Sequence, residues 1–396
     1  MPVIKDALHG NTRLSEFELS LIDTPEMQRL RGVRQVAMAH LVYPGANHTR
    51  FEHSIGTLHL AGELAANLDL GKRETQLLRC AALLHDVGHP AFSHESEPVL
   101  ERHLGRRHEE VGLEKIRKGA LGEMLEEEGF PLREFADVFM GNGIGRLVTF
   151  ELGADRMDYL LRDSHYTGVA YGVIDADRLI HTISMQGNEV LLDRGGLEAA
   201  ESLLIARFLM FSTVYYHHTV RIASAMLNKA IEYGIADGVI GAKDVADSTD
   251  AELLRRLEGS ERADPLVHRL KERRLFKRVL EFSISQLKPK ARKRLERRGE
   301  IGRLEAEIAE EAGVSEERIV VDYPPNYNPM RGDGVRVPLG GKRWRLTELS
   351  EIVKAIEKSE ESRRRIIVAA PREDVPKVKK KVLELFRSLS VSRKLF

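Results

Sequence analysis

An imidazole and a carboxylate stand side by side at His85 and Asp86. They end the apolar run Cys80–Leu84, and the chain continues through Gly88, His89, Pro90, Phe92, Ser93 and His94. Apolar runs pack, and ending one on two polar groups is costly unless both find partners. A metal ion is the simplest partner, and these two groups make half of a divalent site. His53 and Asp155 supply the other half, giving two nitrogens and two oxygens. That set suits Mn, Fe, Co, Ni or Mg better than Zn in a closed thiolate site, which a single cysteine excludes. The ion is left open among these metals and Zn. Taken singly, each residue reads as well as a satisfied core histidine or a chance dipeptide in a chain with 15 histidines. A metal held this way polarises a phosphoryl oxygen and lowers the pKa of a bound water. Phosphoryl transfer then needs cations on the phosphates and a proton donor for the leaving oxygen. Arg50, three residues before His53, is placed for a phosphate. His89, four residues after His85, shares its face if the helix continues. His108 precedes Glu109, a carboxylate able to hold the ring in one tautomer; the alternative for His108 is a surface histidine in a charged loop.

Helices must position these groups. Apolar residues recur at helical spacing over 55–68 and 197–211, and residues 16–234 read as mostly helical. Asp155, Tyr159 and Asp163 follow at intervals of four, on one face of a helix after the Gly-rich loop 140–146. Residues 188–193 read as a strand of a hairpin. Residues 235–300 read as charged and helical, their basic runs being solvated faces by default. Strands at 318–323, 334–339 and 365–370, with helices at 347–364 and 373–389, predict a small α+β module. The expected architecture is mainly α: a helical core and extension over 1–315 and the α+β module over 316–396. The composition, 42% hydrophobic and 31% charged with Lys+Arg equal to Asp+Glu, is that of a soluble globular protein. Zero net charge gives no drive toward nucleic acid as the main partner. No apolar run approaches the ~18 residues of a membrane span. One cysteine and an N-terminus without a signal-peptide pattern point to the cytoplasm.

The order His53, His85-Asp86, Asp155 resembles the H…HD…D pattern of the HD-domain metal-dependent phosphohydrolases. The blocks Tyr43–Gly56 and His85–His94 resemble the branch of deoxynucleoside triphosphate triphosphohydrolases. The resemblance runs from about Val3 to about Pro329, strongest in four blocks, with no SAM-like domain before it. It implies an HD-domain helical core and hydrolysis of a deoxynucleoside triphosphate to deoxynucleoside and triphosphate. By the same match His89 and His108, with Asp86 and Glu109 beside them, carry acid/base work and phosphate contact. Tyr159, Asp163 and Gln35 meet the sugar, and Tyr216 packs where a 2′-hydroxyl would project; ordinary helix packing is the alternative for Tyr216. Phe208 and Ser212 depart from the family's pattern, and Arg207 is displaced by one.

The resemblance also covers an activating-nucleotide site. Asp23, Gln28 and Arg31 match residues that read a guanine edge, where a carboxylate accepts and an arginine donates. Arg178, Arg273 and Lys277 match residues that hold the activator's phosphates. Such sites lie between subunits, which implies a homo-oligomer, a dimer or tetramer. Lys5 and Pro2 depart from the pattern. The bare reading of residues 23–31 is a helix start, with Thr24 as cap and Pro25 in the first turn. Two rival functions stay open: another HD-fold nucleotidase or phosphodiesterase, and a nucleotide sensor with a vestigial site.

Overall fold

A computed structural model describes residues 2–324 and 334–391; residues 325–329, at the end of the resemblance, lie outside the described residues. The architecture is mainly α, as expected. The chain forms two compact units, each built from separated segments: Met1–Met210 with Ala242–Leu253 and Met330–Ala355, and Phe211–Gly241 with Leu254–Pro329 and Ile356–Phe396.

The first unit opens on a hairpin, β1 (Val3–Asp6) and β2 (Gly10–Arg13). Helices α1 (Glu16–Ile22), α2 (Pro25–Arg29), α3 (Arg50–Asn67), α4 (Lys72–Leu84), α5 (Glu97–Leu104), α6 (His108–Lys118), α7 (Ala120–Glu127), α8 (Leu132–Phe139), α9 (Arg146–Thr149) and α10 (Ala154–Thr167) follow. Two starts are fixed by carboxylates that turn back on the chain. Glu18 accepts from the Ser15 amide ahead of α1, and Glu52 accepts from the Thr49 amide and hydroxyl ahead of α3. Helix α3 packs against both α4 and α10. Phe51, Ile55 and Leu58 form its face in the hydrophobic core with Leu77, Leu84, Phe130 and Phe135. The face carrying His53 and Gly56 meets α10. That division places a polar site against a dry core.

The hairpin expected around 188–193 is present as β3 (Ile183–Gln186) and β4 (Glu189–Leu192). In the second unit, β5 (Lys277–Ser283), β6 (Val320–Asp322) and β9 (Arg365–Ala370) form an antiparallel sheet in the order β5-β9-β6. Ile366, Val368 and Ala370 of β9 pack with Phe282, Leu304, Val378 and Phe386. Two expectations are corrected. Residues 277–283, read as part of a charged helical stretch, are a strand; its register shifts between Arg278 and Leu280, which breaks the alternation that would have marked it. The strand expected at 334–339 does not join the other C-terminal strands. As β7 (Arg336–Leu339) it pairs in parallel with β4 and antiparallel with β8 (Lys342–Arg345).

Candidate metal centre and its histidine cluster

His53 lies on α3, His85 caps the C-terminus of α4, Asp86 follows it, and Asp155 opens α10. The tertiary fold brings all four together. His53 Nε2 is 3.2 Å from Asp155 Oδ1 and 3.8 Å from Asp86 Oδ2, and His85 Nε2 is 3.2 Å from Asp86 Oδ1 and 3.8 Å from Asp155 Oδ1. Ligands on one ion with bonds of about 2.1 Å stand roughly 3–3.5 Å apart, so these separations fit a shared cation. The second nitrogen of each ring is occupied. His53 Nδ1 donates to Asp158 at 2.7 Å, and His85 Nδ1 donates to the Ala82 carbonyl at 2.7 Å. Both Nε2 atoms are thereby turned toward the carboxylates, as metal-ligating histidines are held. His85 Nε2 is buried without a hydrogen-bond partner, an orphan that an ion would satisfy. The His53 side chain is fully buried and that of Asp155 29% exposed, so the cluster opens to solvent on the Asp155 side. Burial opposes a charge on His53, but its hydrogen bonds to Asp155 and Asp158 outweigh this and push it up to about 10. The pocket calls for positive charge, which a divalent ion supplies in exchange for the proton.

Asp86 also pairs with Arg50, whose Nη1 is 2.6 Å away, both side chains buried. Arg50 Nε donates to the Ser93 hydroxyl, and Nη2 is buried without a hydrogen-bond partner. Arg50 is therefore tied to the centre, with one nitrogen left to offer an anion.

A second group adjoins Asp86. His89 does not continue α4, which ends at Leu84; the expected shared helix face is replaced by a turn through residues 85–88. His89 Nε2 still reaches within 3.3 Å of Asp86 Oδ1. Its ring stacks on His108 with centroids 3.7 Å apart, and His94 meets its edge at 4.6 Å. Gly88 makes the stack possible: a Cβ there would lie 2.0 Å from the His108 carbonyl and 2.3 Å from the Gly112 amide. His108 is only 12% exposed and packs into this cluster; it is not a surface residue. Its Nδ1 donates to Glu97, whose other oxygen takes His94 Nδ1 at 2.8 Å; Glu109, the expected partner, stands off at 3.5 Å. Burial would raise the Glu97 carboxyl, but the hydrogen bonds from His108 and His94 hold it well below its ordinary range. Burial would likewise lower His108, and Glu97 raises it. His89 is driven well below 6.5 by burial and by the cations around it, Arg50 first. One stack thus pairs a neutral imidazole with one that favours its proton, the arrangement that separates acid from base.

His94 and Glu97 are the residues that the sequence reading missed, although both lie in or beside the quoted motif. The segment 242–250 is a second omission. Asp250 accepts from the Phe92 amide at 2.7 Å and the Arg34 amide at 3.1 Å, and the Val245 carbonyl accepts from the Ala91 amide. These bonds hold Phe92 and Ser93 at φ of 61° and 55°, a left-handed pair of ordinary residues costing on the order of 1–3 kcal/mol each. No motif in 242–250 signals this role.

Gln35 carries a buried Oε1 without a hydrogen-bond partner. Tyr159 and Asp163 share α10 with Asp155, and Asp163 accepts from His48 at 2.7 Å. Gln28 and Arg31 are hydrogen-bonded at 2.9 Å, the Arg31 guanidinium lies over the Phe51 ring, and Asp23 is exposed at the end of α1. Arg178 is exposed in the helix Ala176–Thr182, its Nε donating to the Gly195 carbonyl. Thr24 takes the cap position, but its hydroxyl donates to the Leu21 carbonyl and makes no capping bond. Tyr216, Arg273 and Lys277 belong to the second unit, where the Arg221 guanidinium stands 5.7 Å from the Tyr216 ring and Lys277 opens β5. No described helix is long and apolar enough to cross a membrane.

Residues 50–136 match the HD domain family, and residues 174–394 match the HD associated region. An uncharacterized protein of Methanocaldococcus jannaschii is 35% identical over 99% of this chain and 85% of its own length. The deoxynucleoside triphosphate triphosphohydrolase SAMHD1 homolog of Dictyostelium discoideum is 28% identical over 72% of this chain, and the chicken SAMHD1 is 28% identical over 59%. The chain spans 61% and 45% of those two proteins. Among solved structures, a hypothetical protein from Aquifex aeolicus matches at a TM-score of 0.77 and 29% identity, covering 96% of this chain and 99% of its own. A Bacteroides thetaiotaomicron protein described as a phosphohydrolase shares the fold at 0.73 and 24%, over 94% of this chain and 100% of its own. With a helical core that brings two histidines and two aspartates together, and family matches running through both parts of the chain, this protein belongs to the HD-domain phosphohydrolases.

Proposed function

We propose that the enzyme hydrolyses deoxynucleoside triphosphates to deoxynucleoside and triphosphate. The observation that carries the reading is the junction at Asp86: one carboxylate faces the candidate ligands His53 and His85, the buried Arg50 guanidinium and the stacked His89. His53, His85, Asp86 and Asp155 would hold the ion, which supplies Lewis acidity and a more acidic water. Arg50 Nη2 meets a phosphate oxygen. His89, held neutral, contacts the phosphate chain, and His108, whose proton Glu97 favours, delivers a proton to the leaving oxygen. His94 shares Glu97 and stands on the same cluster. Gln35, Tyr159 and Asp163 are assigned to the sugar. The relatives named as triphosphohydrolases support the choice of substrate.

For the activator, the exposed Asp23 and Arg31 and the half-buried Gln28 read a guanine edge and Arg178 meets its phosphates, in an assembly of more than one copy. Incubating the metal-loaded protein with a panel of deoxynucleoside triphosphates and identifying the phosphate product tests the substrate reading. Inorganic triphosphate with free deoxynucleoside is expected. Pyrophosphate or single phosphates as first product would transfer the enzyme to the nucleotidases or phosphodiesterases of the same fold.

A further inference from the structure

We propose that the N-terminal hairpin is part of the metal centre, with His9 as a positioning residue that acts through Asp158 on His53. The inference rests on the reading of His53, His85, Asp86 and Asp155 as the ion's ligands. Asp158 is fully buried on α10 and takes four donors. Its Oδ2 accepts from His53 Nδ1 at 2.7 Å and Arg162 Nε at 2.9 Å; its Oδ1 accepts from Arg162 Nη2 at 2.9 Å and His9 Nε2 at 2.7 Å. A carboxylate with every lone-pair direction filled cannot rotate, so the plane of Asp158 sets the plane of the His53 ring. Three of the donors come from α3 and α10. The fourth comes from the turn between β1 and β2.

That turn is built to deliver His9. Asp6 Oδ1 accepts from the Leu8 and His9 amides at 2.8 and 2.9 Å, and Asp6 Oδ2 pairs with Arg162 Nη2 at 3.0 Å. The hairpin is thus locked to the same arginine that grips Asp158. The His9 ring stacks on His59 of α3, centroids 4.9 Å apart, and its side chain is 9% exposed. Room for the arrangement comes from Gly56, one turn after His53: a Cβ there would lie 1.8 Å from Asp158 Oδ1 and 2.3 Å from Arg162 Nη2. A hairpin needed only to cover the core would require neither a buried imidazole nor its aim at a carboxylate already neutralised by arginine.

The test compares His9→Phe, which keeps the stack and removes the donor, with His9→Gln, which restores an N–H near the Nε2 position. Full-length protein is stripped of metal. Co(II) affinity is measured by titration of its visible absorption, and melting is followed with and without chelator. Outer-sphere partners of this kind affect metal affinity by about 10–100-fold. We expect His9→Phe to weaken Co(II) binding at least ~10-fold and alter the absorption band, and His9→Gln to recover most of both. His9→Asn, whose amide falls short of Asp158, is read in place of His9→Phe should the latter not fold. Wild-type affinity and spectrum in the donor-free variant, even with a lower metal-free melting temperature, would make His9 purely structural and overturn the proposal. Wild-type protein that takes up no divalent ion would remove the metal reading and the proposal with it.

Discussion

Glu97 holds His108 from two directions: its Oε1 accepts from both the ring Nδ1 and the backbone amide, the latter at 3.2 Å. The proton state of His108 and the start of α6 therefore depend on one carboxylate. In Glu97→Gln the imidazole loses the charge that favours its proton. Turnover should fall on the order of 100-fold, the scale of a lost acid or base, with metal content unchanged. The variant should also unfold differently in acid. Because the folded Glu97 carboxyl lies below its ordinary 4.5, its contribution to stability is present above that pH and is lost as pH falls below it. Acid unfolding of Glu97→Gln should be correspondingly less steep below about pH 4.5. Full turnover with an unchanged acid limb would remove Glu97 from the chemistry.

Asp86 neutralises Arg50 as well as facing the two histidines. Asp86→Ala should lose bound metal by elemental analysis and turnover by assay. It should also lose stability to denaturant, by about 3–5 kcal/mol, because the guanidinium is left buried and unpaired. A metal-free but fully active Asp86→Ala protein would sink the metal reading.

Cys80 is the single cysteine and is fully buried on α4 in the hydrophobic core. Burial raises its thiol well above the ordinary value, so it reacts only when the core opens. Native-state alkylation of Cys80 should be slow and should slow further when a divalent ion is added, because an ion that binds only the folded state suppresses opening. Rapid labelling insensitive to metal would contradict a tightly packed, ligand-stabilised core.

Arg31 is exposed, stacked on Phe51 and hydrogen-bonded to Gln28. Activity against one deoxynucleoside triphosphate should rise on titration with dGTP or GTP, together with solution mass. The coupling expected between such sites is on the order of 1–3 kcal/mol. Arg31→Ala should abolish the response and keep metal content. If neither rate nor mass responds to a guanine nucleotide in the wild type, residues 23–31 are only a helix start.

The sequence alone named the four residues that the fold brings together, His53, His85, Asp86 and Asp155. The pairing of types at His85-Asp86, and their order with His53 and Asp155, carry chemical meaning without coordinates, because few side chains ligate divalent ions. The helices that hold them were legible from apolar spacing: α3 and α10 lie where periodicity and the motif place them. Three strands of the C-terminal region, β6, β7 and β9, were legible too; β8 and the pairing of β7 were not.

Tertiary structure alone decided what each group leans on. Glu97 displaces Glu109 as partner of His108 because α4 ends at Leu84 and Gly88 lets α6 approach, a contact between helices that no local pattern encodes. Asp250 reaches Phe92 from 158 residues away, and His9 reaches Asp158 from 149. The strand at 277–283 was hidden because its bulge breaks the period of two, and its pairing with β9 is a long-range choice. Ligand type is a local property written in single residues. Orientation, protonation and pairing belong to the groups that pack around them, and chain closure over a hundred residues sets those.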